Sequence, residues 1–334
     1  MPEATIELSS LPTLDEIRAA QDLVYTVMQP TPQIVWPLLC ERLGAEVWVK
    51  HENHTPIGAF KARTAVVYAA ELFRRTSGVT GLVTATRGNH GQSVALAAHR
   101  FGVQAFIVIP RGNSPEKNAA MRAQGATLIE FGDEYQQSKE HAEELAAGRG
   151  WHYVPAYHRN IVTGVATYWM EFCSAVCDLD IVYVPIGQGS GICSCAAVRN
   201  GLNLKTTIVG VVPEGAAAYA LSFAAGRAVE APVTTLLGDG MACRVPHDES
   251  LAIVLANVDH IVTVSEQEIA QAMKIYFTDT HNVAEGAGAA GLAAALKEKQ
   301  KLQGKRVGLV ISGGNVDHDV FARVLRGHEG SPEY

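Results

Sequence analysis

Positive charge is scarce in this 334-residue chain: 27 Lys and Arg face 34 Asp and Glu, a formal net charge of −7. That balance offers no general attraction to nucleic acid or to an anionic membrane. Long apolar runs are also missing, and none approaches the length needed to span a bilayer. The first twenty residues, MPEATIELSSLPTLDEIRAA, carry acids and lack an apolar core, so no secretory signal is read there and a cytoplasmic protein is expected. Cys173 and Cys177 could share a helix face, and Cys193 and Cys195 follow a glycine-rich turn, but neither pair has the C-x-x-C spacing of a zinc or redox site. The six cysteines, which also include Cys40 and Cys243, are expected to be small buried apolar residues. No two of the 12 His have ligand spacing on one element, as H-E-x-x-H would give, so no bound metal is expected.

Hydrophobic residues make up 48% of the chain and charged residues 18%, the balance of a folded globular protein. The length is too great for one simple core and implies two lobes or a large α/β domain. Short β-type runs alternate with helical ones: GLVTA (81–85), NHGQSVALAAHRF (89–101), VQAFIVI (103–109), SPEKNAAMRAQ (114–124), ATLIEF (126–131) and EYQQSKEHAEELAA (134–147). The alternation resumes with DIVYVPI (180–186), TTIVGVV (206–212) and RVGLVIS (306–312). Nearly continuous apolar strands between helices predict an α/β fold of open parallel sheets with helices on both faces. Thr13 and Glu16 have the spacing of a capping box before a helix predicted over 14–28. No Pro/Gly/Ser linker marks a boundary, so a second lobe would be an insertion with short crossings.

Three glycine-containing loops fall at strand ends, where open α/β sheets bind ligands. TATRGNHGQSVA (84–95) leads into a helix near Asn89, whose backbone N–H groups suit a carboxylate. PIGQGSGIC (185–193) offers Gly187, Gly189 and Gly191, where backbone amides can approach a phosphate, and the Ser190 hydroxyl. It is neither a Rossmann G-x-G-x-x-G, which fails at Ile192, nor a P-loop. ISGGNVD (311–317) closes the last strand. Between the strand AEVWVK (45–50) and the helical stretch ARTAVVYAAELFRR (62–75) stands Lys61. A lysine opening a buried helix is either a snorkelling surface residue or a group placed for chemistry, and that stretch alone leaves both open. A phosphate cradle and a carboxylate cradle in the same chain favour chemistry.

In chain order, ENHTPIGAFKART (52–64), TATRGNHGQSVA (84–95), VPIGQGSGI (184–192) and ISGGNVD (311–317) resemble the motifs of the serine/threonine dehydratases, the fold type II pyridoxal-phosphate enzymes that include serine racemase. The likeness runs over nearly the whole chain. It implies the tryptophan synthase β-like fold, with a large cofactor-binding domain of residues 1–78 and 158–334 and a small substrate-binding domain of 79–157. It implies pyridoxal 5'-phosphate as cofactor and a cytoplasmic homodimer. Lys61 matches the lysine that holds the cofactor as a Schiff base, and Phe60 the neighbour packed near the ring. Asn89 matches the partner of the ring hydroxyl, and the loop Gly187, Gln188, Gly189, Ser190, Gly191 matches the phosphate cup. Ser312 matches the residue facing the pyridine nitrogen. Thr86, Arg87, Gly88, Asn89 and His90 match the loop that grips the substrate.

The resemblance implies an ammonia-lyase that removes water from a β-hydroxy-α-amino acid such as threonine, serine or 3-hydroxyaspartate, leaving a 2-oxo acid and ammonia. Racemase and β-replacement synthase activities are the alternatives within the fold, and a non-catalytic binder is a remote one. Ala59 stands where serine is usual before Phe-Lys. Arg87 stands where racemases carry a serine base; an always-charged guanidinium is a poor acid/base, which counts against racemisation. PAYHRNIVTGVAT (155–167) departs from the family's acidic, glycine-rich stretch. In VVPEGAAAY (211–219), Val212 and Ala218 replace the acids of cation-dependent relatives, which again leads to no metal. The chain ends soon after the last motif, so no regulatory domain is expected and a catabolic role is favoured.

Overall fold

The structure, a computed structural model, describes residues 11–327. Its ten strands are β1 (Gln33–Val35), β2 (Glu46–His51), β3 (Gly81–Ala85), β4 (Gln104–Ile109), β5 (Thr127–Glu130), β6 (His152–Tyr153), β7 (Ile181–Pro185), β8 (Thr207–Pro213), β9 (His260–Val264) and β10 (Arg306–Ile311). They form two sheets, a six-stranded one in the order β1-β2-β10-β7-β8-β9 and a four-stranded one in the order β5-β4-β3-β6. Every pairing is parallel except β1 with β2, which are antiparallel.

Strand alternation explains why helices cover both faces. In β7, Ile181 and Tyr183 face one way, into a core with Val47, Val307 and the helix Gly286–Lys297. Val182 and Val184 face the other way, onto Trp169, Phe172 and the helix Ser190–Gly201. Both faces are buried, so the strand is a continuous apolar run. The smaller sheet repeats the scheme. Leu82 and Ile107 pack on the helix Asn89–Phe101, while Val83 and Val108 pack towards the helix Tyr135–Arg149.

Three expectations are revised. The first helix has the capping box at Thr13 and Glu16 but runs only Leu14–Val24, not to residue 28. Tyr25 breaks the helical ψ and the Thr26 hydroxyl takes the Leu23 carbonyl at 2.7 Å, which ends the ladder. The helix after Lys61 starts at Thr64, because Phe60–Arg63 form a tighter 3-10 turn. Cys177 is exposed and lies beyond the helix Arg159–Ala175, so it neither shares a face with Cys173 nor behaves as a buried apolar residue. Cys193, Cys195 and Cys243 are buried as expected.

Candidate active site

The Lys61 turn is stitched to the end of β10. Phe60 N–H donates to the Ser312 carbonyl at 2.8 Å, Gly314 N–H donates to the Gly58 carbonyl at 2.9 Å, and Ala59 bridges to Gly313. Gly58 has φ +67°, a left-handed bend that glycine adopts without strain. Ser93 Oγ, at 2.5 Å, and Thr64 Oγ1, at 2.8 Å, both donate to the Lys61 carbonyl and fix the backbone. The Lys61 amine itself lies 5.1 Å from the Phe60 ring centroid and, among the described residues, has no carboxylate partner. Burial lowers its pKa to about 8.

Beneath this turn the charges are paired. Arg63 makes two bonds to Glu52, at 2.8 and 3.0 Å, and two to Glu171, at 2.6 and 3.0 Å. Lys50 reaches Glu171 at 2.6 Å and the Thr31 carbonyl at 2.7 Å. Two cations and two carboxylates cancel in the interior, and their forks leave few polar atoms unmet.

After β3 the loop carries Thr86, Arg87 and Gly88 into the helix Asn89–Phe101. Thr86 is buried, and its Oγ1 accepts from Gly88 N–H at 3.0 Å. Gly88 is the cap residue and supplies no side chain, so the first helical N–H groups are left for an anion. A Cβ on Gly88 would meet Lys117 Cδ at 2.9 Å. Asn89 is oriented from both ends: its Nδ2 donates to Glu285 at 2.8 Å and its Oδ1 accepts from Asn315 Nδ2 at 2.8 Å. His90 is buried, with Nε2 3.3 Å from the Val154 carbonyl and Nδ1 unpartnered. Burial first, then the positive charge of Lys61, pushes its pKa down to about 3, so it is neutral. Arg87 is exposed and, among the described residues, pairs with no group.

The third wall is the loop between β7 and the helix Ser190–Gly201. Gly189 has φ +97°, and a Cβ there would lie 1.7 Å from Ser250 Oγ. A Cβ on Gly187 would lie 2.6 Å from the Gly240 carbonyl. Gly191 is under no such pressure, since its nearest neighbours would be 3.8 Å away. Gln188 follows Gly187 on the loop, and Ser190 is buried at the first helical position.

Strand ends thus bring together Lys61, Ser312, Asn89 and, through Lys117, the neighbourhood of the glycine loop. Lys117 pairs with Asp239 at 2.6 Å, and Asp239 adjoins the Gly240 that backs Gly187. Three residues were not read from sequence: Glu285, Lys117 and Asn315. Burial raises Glu285 to about 7, against the opposing pull of Lys117. A lone acid ahead of the run GAGAAGLAAAL was the available signal for Glu285, and Asn315 sits inside a motif already quoted.

A half-buried amine with no carboxylate partner among the described residues, uncapped helical amides and a glycine cradle at a helix N-terminus suit a phosphorylated aldehyde, and the class defined is an α/β enzyme with a lysine-bound cofactor. Residues 24–313 match the family model described as pyridoxal-phosphate dependent enzyme. The chain is 32% identical over 325 residues to an L-threo-3-hydroxyaspartate ammonia-lyase of Saccharomyces cerevisiae, covering 96% of this chain and 99% of that one. It is 34% identical over 314 residues to an L-threonine ammonia-lyase of Thermotoga maritima, covering 94% and 78%. The structure of maize serine racemase superposes with a TM-score of 0.87 at 29% identity, covering 95% and 97%. The chain belongs to the pyridoxal-phosphate-dependent enzyme family, has the type II fold, and is a carbon–nitrogen lyase whose cofactor is pyridoxal phosphate.

Proposed function

We propose that the protein is an ammonia-lyase for a β-hydroxy-α-amino acid with a second carboxylate, of the 3-hydroxyaspartate type. The chemistry supplied by bound pyridoxal phosphate is withdrawal of electrons from Cα. Lys61 would hold the cofactor with Phe60 beside it, the amides of Gly187, Gln188, Gly189 and Gly191 with Ser190 would take its phosphate, Asn89 its ring hydroxyl, and Ser312 its ring nitrogen. Thr86, Gly88 and the amides at Asn89 and His90 would grip the α-carboxylate. The Lys61 amine, whose pKa is lowered to about 8 so that its neutral form is more accessible than a surface lysine's, then accepts the Cα proton as the β-hydroxyl leaves. Water converts the released enamine to a 2-oxo acid and ammonia. Ser312 is a neutral partner, which limits charge spreading into the ring and favours prompt elimination over transamination.

The observation that carries the substrate choice is Arg87: an exposed guanidinium with no partner among the described residues, two residues before Asn89 in the substrate loop. Relatives from Saccharomyces cerevisiae and a Pseudomonas species named for L-threo-3-hydroxyaspartate support it. A bidentate pair with the distal carboxylate contributes roughly 1.5–3 kcal/mol, or about one to two decades in specificity. Arg87→Ala should cut kcat/KM for 3-hydroxyaspartate by that factor and spare serine, read from 2-oxo acid and ammonia release. Equal losses on both substrates, or none, would assign Arg87 to structure. The domain division is part of the same reading: residues 79–157 as the small substrate lobe, with 1–78 and 158–334 as the large one, in line with the separate β3–β6 sheet. So is a cytoplasmic homodimer, to be checked by sedimentation. No helix among the described residues is long and apolar enough to cross a membrane.

A further inference from the structure

Behind the glycine loop runs a row of hydroxyls and a thiol that none of the roles above uses. The Tyr219 hydroxyl lies 3.1 Å from the Gln188 carbonyl oxygen and 2.8 Å from Ser250 Oγ. Cys193 Sγ lies 3.5 Å from the same Ser250 Oγ, and the Tyr157 hydroxyl reaches Cys193 Sγ at 3.8 Å. Tyr219, Ser250 and Cys193 are fully buried. They come from three helices, Ala218–Ala225, Asp248–Asn257 and Ser190–Gly201. Apolar side chains would fill this space with a smaller desolvation cost, so the convergence of polar groups on one loop carbonyl calls for a reason.

The peptide geometry supplies one. The bond between Gln188 and Gly189 is trans, so its C=O and N–H point in opposite directions. With the carbonyl held towards Tyr219, the Gly189 N–H is turned away from the buried row and towards the open face of the loop. Only glycine fits this close to the row, because a Cβ at position 189 would meet Ser250 Oγ at 1.7 Å and the Tyr219 hydroxyl at 2.9 Å. We propose that Tyr219, itself held by Ser250, is a positioning residue that aims the Gly189 amide at the cofactor phosphate. The inference rests on the reading of residues 187–191 as the phosphate cup.

The test titrates apoprotein with pyridoxal 5'-phosphate and with pyridoxal, which keeps the aldehyde and lacks the phosphate. Wild type should prefer the phosphorylated form. Tyr219→Phe should raise Kd for pyridoxal phosphate about tenfold and change Kd for pyridoxal by less than about twofold, the effect of one misdirected donor. Ser250→Ala should shift the ratio of the two constants in the same direction by less, and it carries the test if Tyr219→Phe fails to fold. The melting temperature of each apo variant is recorded alongside. An unchanged ratio in folded variants, or equal weakening of both ligands, overturns the positioning role alone. A wild-type protein that binds the two ligands equally overturns the phosphate cup, and this inference with it.

Discussion

Below the turn that carries Lys61, Arg63 shares Glu52 and Glu171 with Lys50, and each charge meets an opposite one within 3.0 Å. Two residues earlier in the chain, the Lys61 amine meets none among the described residues. The site side continues in that manner, with His90 Nδ1 and Gln92 Nε2 buried and unpartnered and the helix at Asn89 uncapped by any side chain. One cluster is saturated and holds the turn in place. The other is left open and is where chemistry becomes available. Lysine alone does not distinguish the two, since Lys50 and Lys61 both follow apolar sequence; pairing does.

The sharpest way to break the contrast is to remove one amine from the open side. Lys61→Ala should lower turnover by more than about 10⁴-fold, since on the proposed reading it removes both the cofactor anchor and the base. The fold should not suffer. Desolvation disfavours the charged form of the Lys61 amine and no carboxylate among the described residues offsets it, so the melting temperature of the apo variant at neutral pH should equal or exceed wild type. Turnover near the wild-type value would end the functional reading.

On the saturated side the same operation should act in the opposite sense. Arg63 is fully buried, and Arg63→Met leaves Glu52 and Glu171 with one cation between them. Breaking such a network by removing one partner costs about 3–5 kcal/mol. Chemical denaturation should show that loss, and activity per folded molecule should fall less than for Lys61→Ala. A change under about 1 kcal/mol would mean that the network contributes little to the stability of the turn.

Much of this was legible in the sequence, for physical reasons that differ by element. β3, β7 and β10 are buried on both faces, so they read as continuous apolar runs, and their ends locate the loops. The glycines at 187 and 189 are tied to close approaches that only glycine permits, which is why the loop stood out. β1 and β6, with three and two residues, are too short to show a period. Glu285, Asn315 and Lys117 lie far from Asn89 and Gly88 in sequence and reach them only through folding. Spacing carries no trace of such partners. Nor does it report that Arg63, two residues past the lysine, is the largest charged group wholly inside the protein.

A finer comparison is between Lys61 and an ordinary surface lysine. Desolvation disfavours the charged ammonium, and with no carboxylate to oppose it the pKa falls from the usual 10.5 to about 8. The group is depressed in the folded state, so the native protein holds fewer protons than the unfolded chain between those values, and this residue's contribution to stability rises with pH there. The same shift governs reactivity, because only the neutral amine attacks the cofactor aldehyde. Below about pH 8 the neutral fraction grows roughly tenfold per unit, and above it the fraction saturates. Apoprotein mixed with pyridoxal phosphate in a stopped-flow absorbance experiment should therefore gain rate steeply from pH 6 to about 8 and then level off. A rise that continues unchanged to pH 10 would show an amine with the charge preference of a solvated lysine, and the open side of the turn would then be open to water as well.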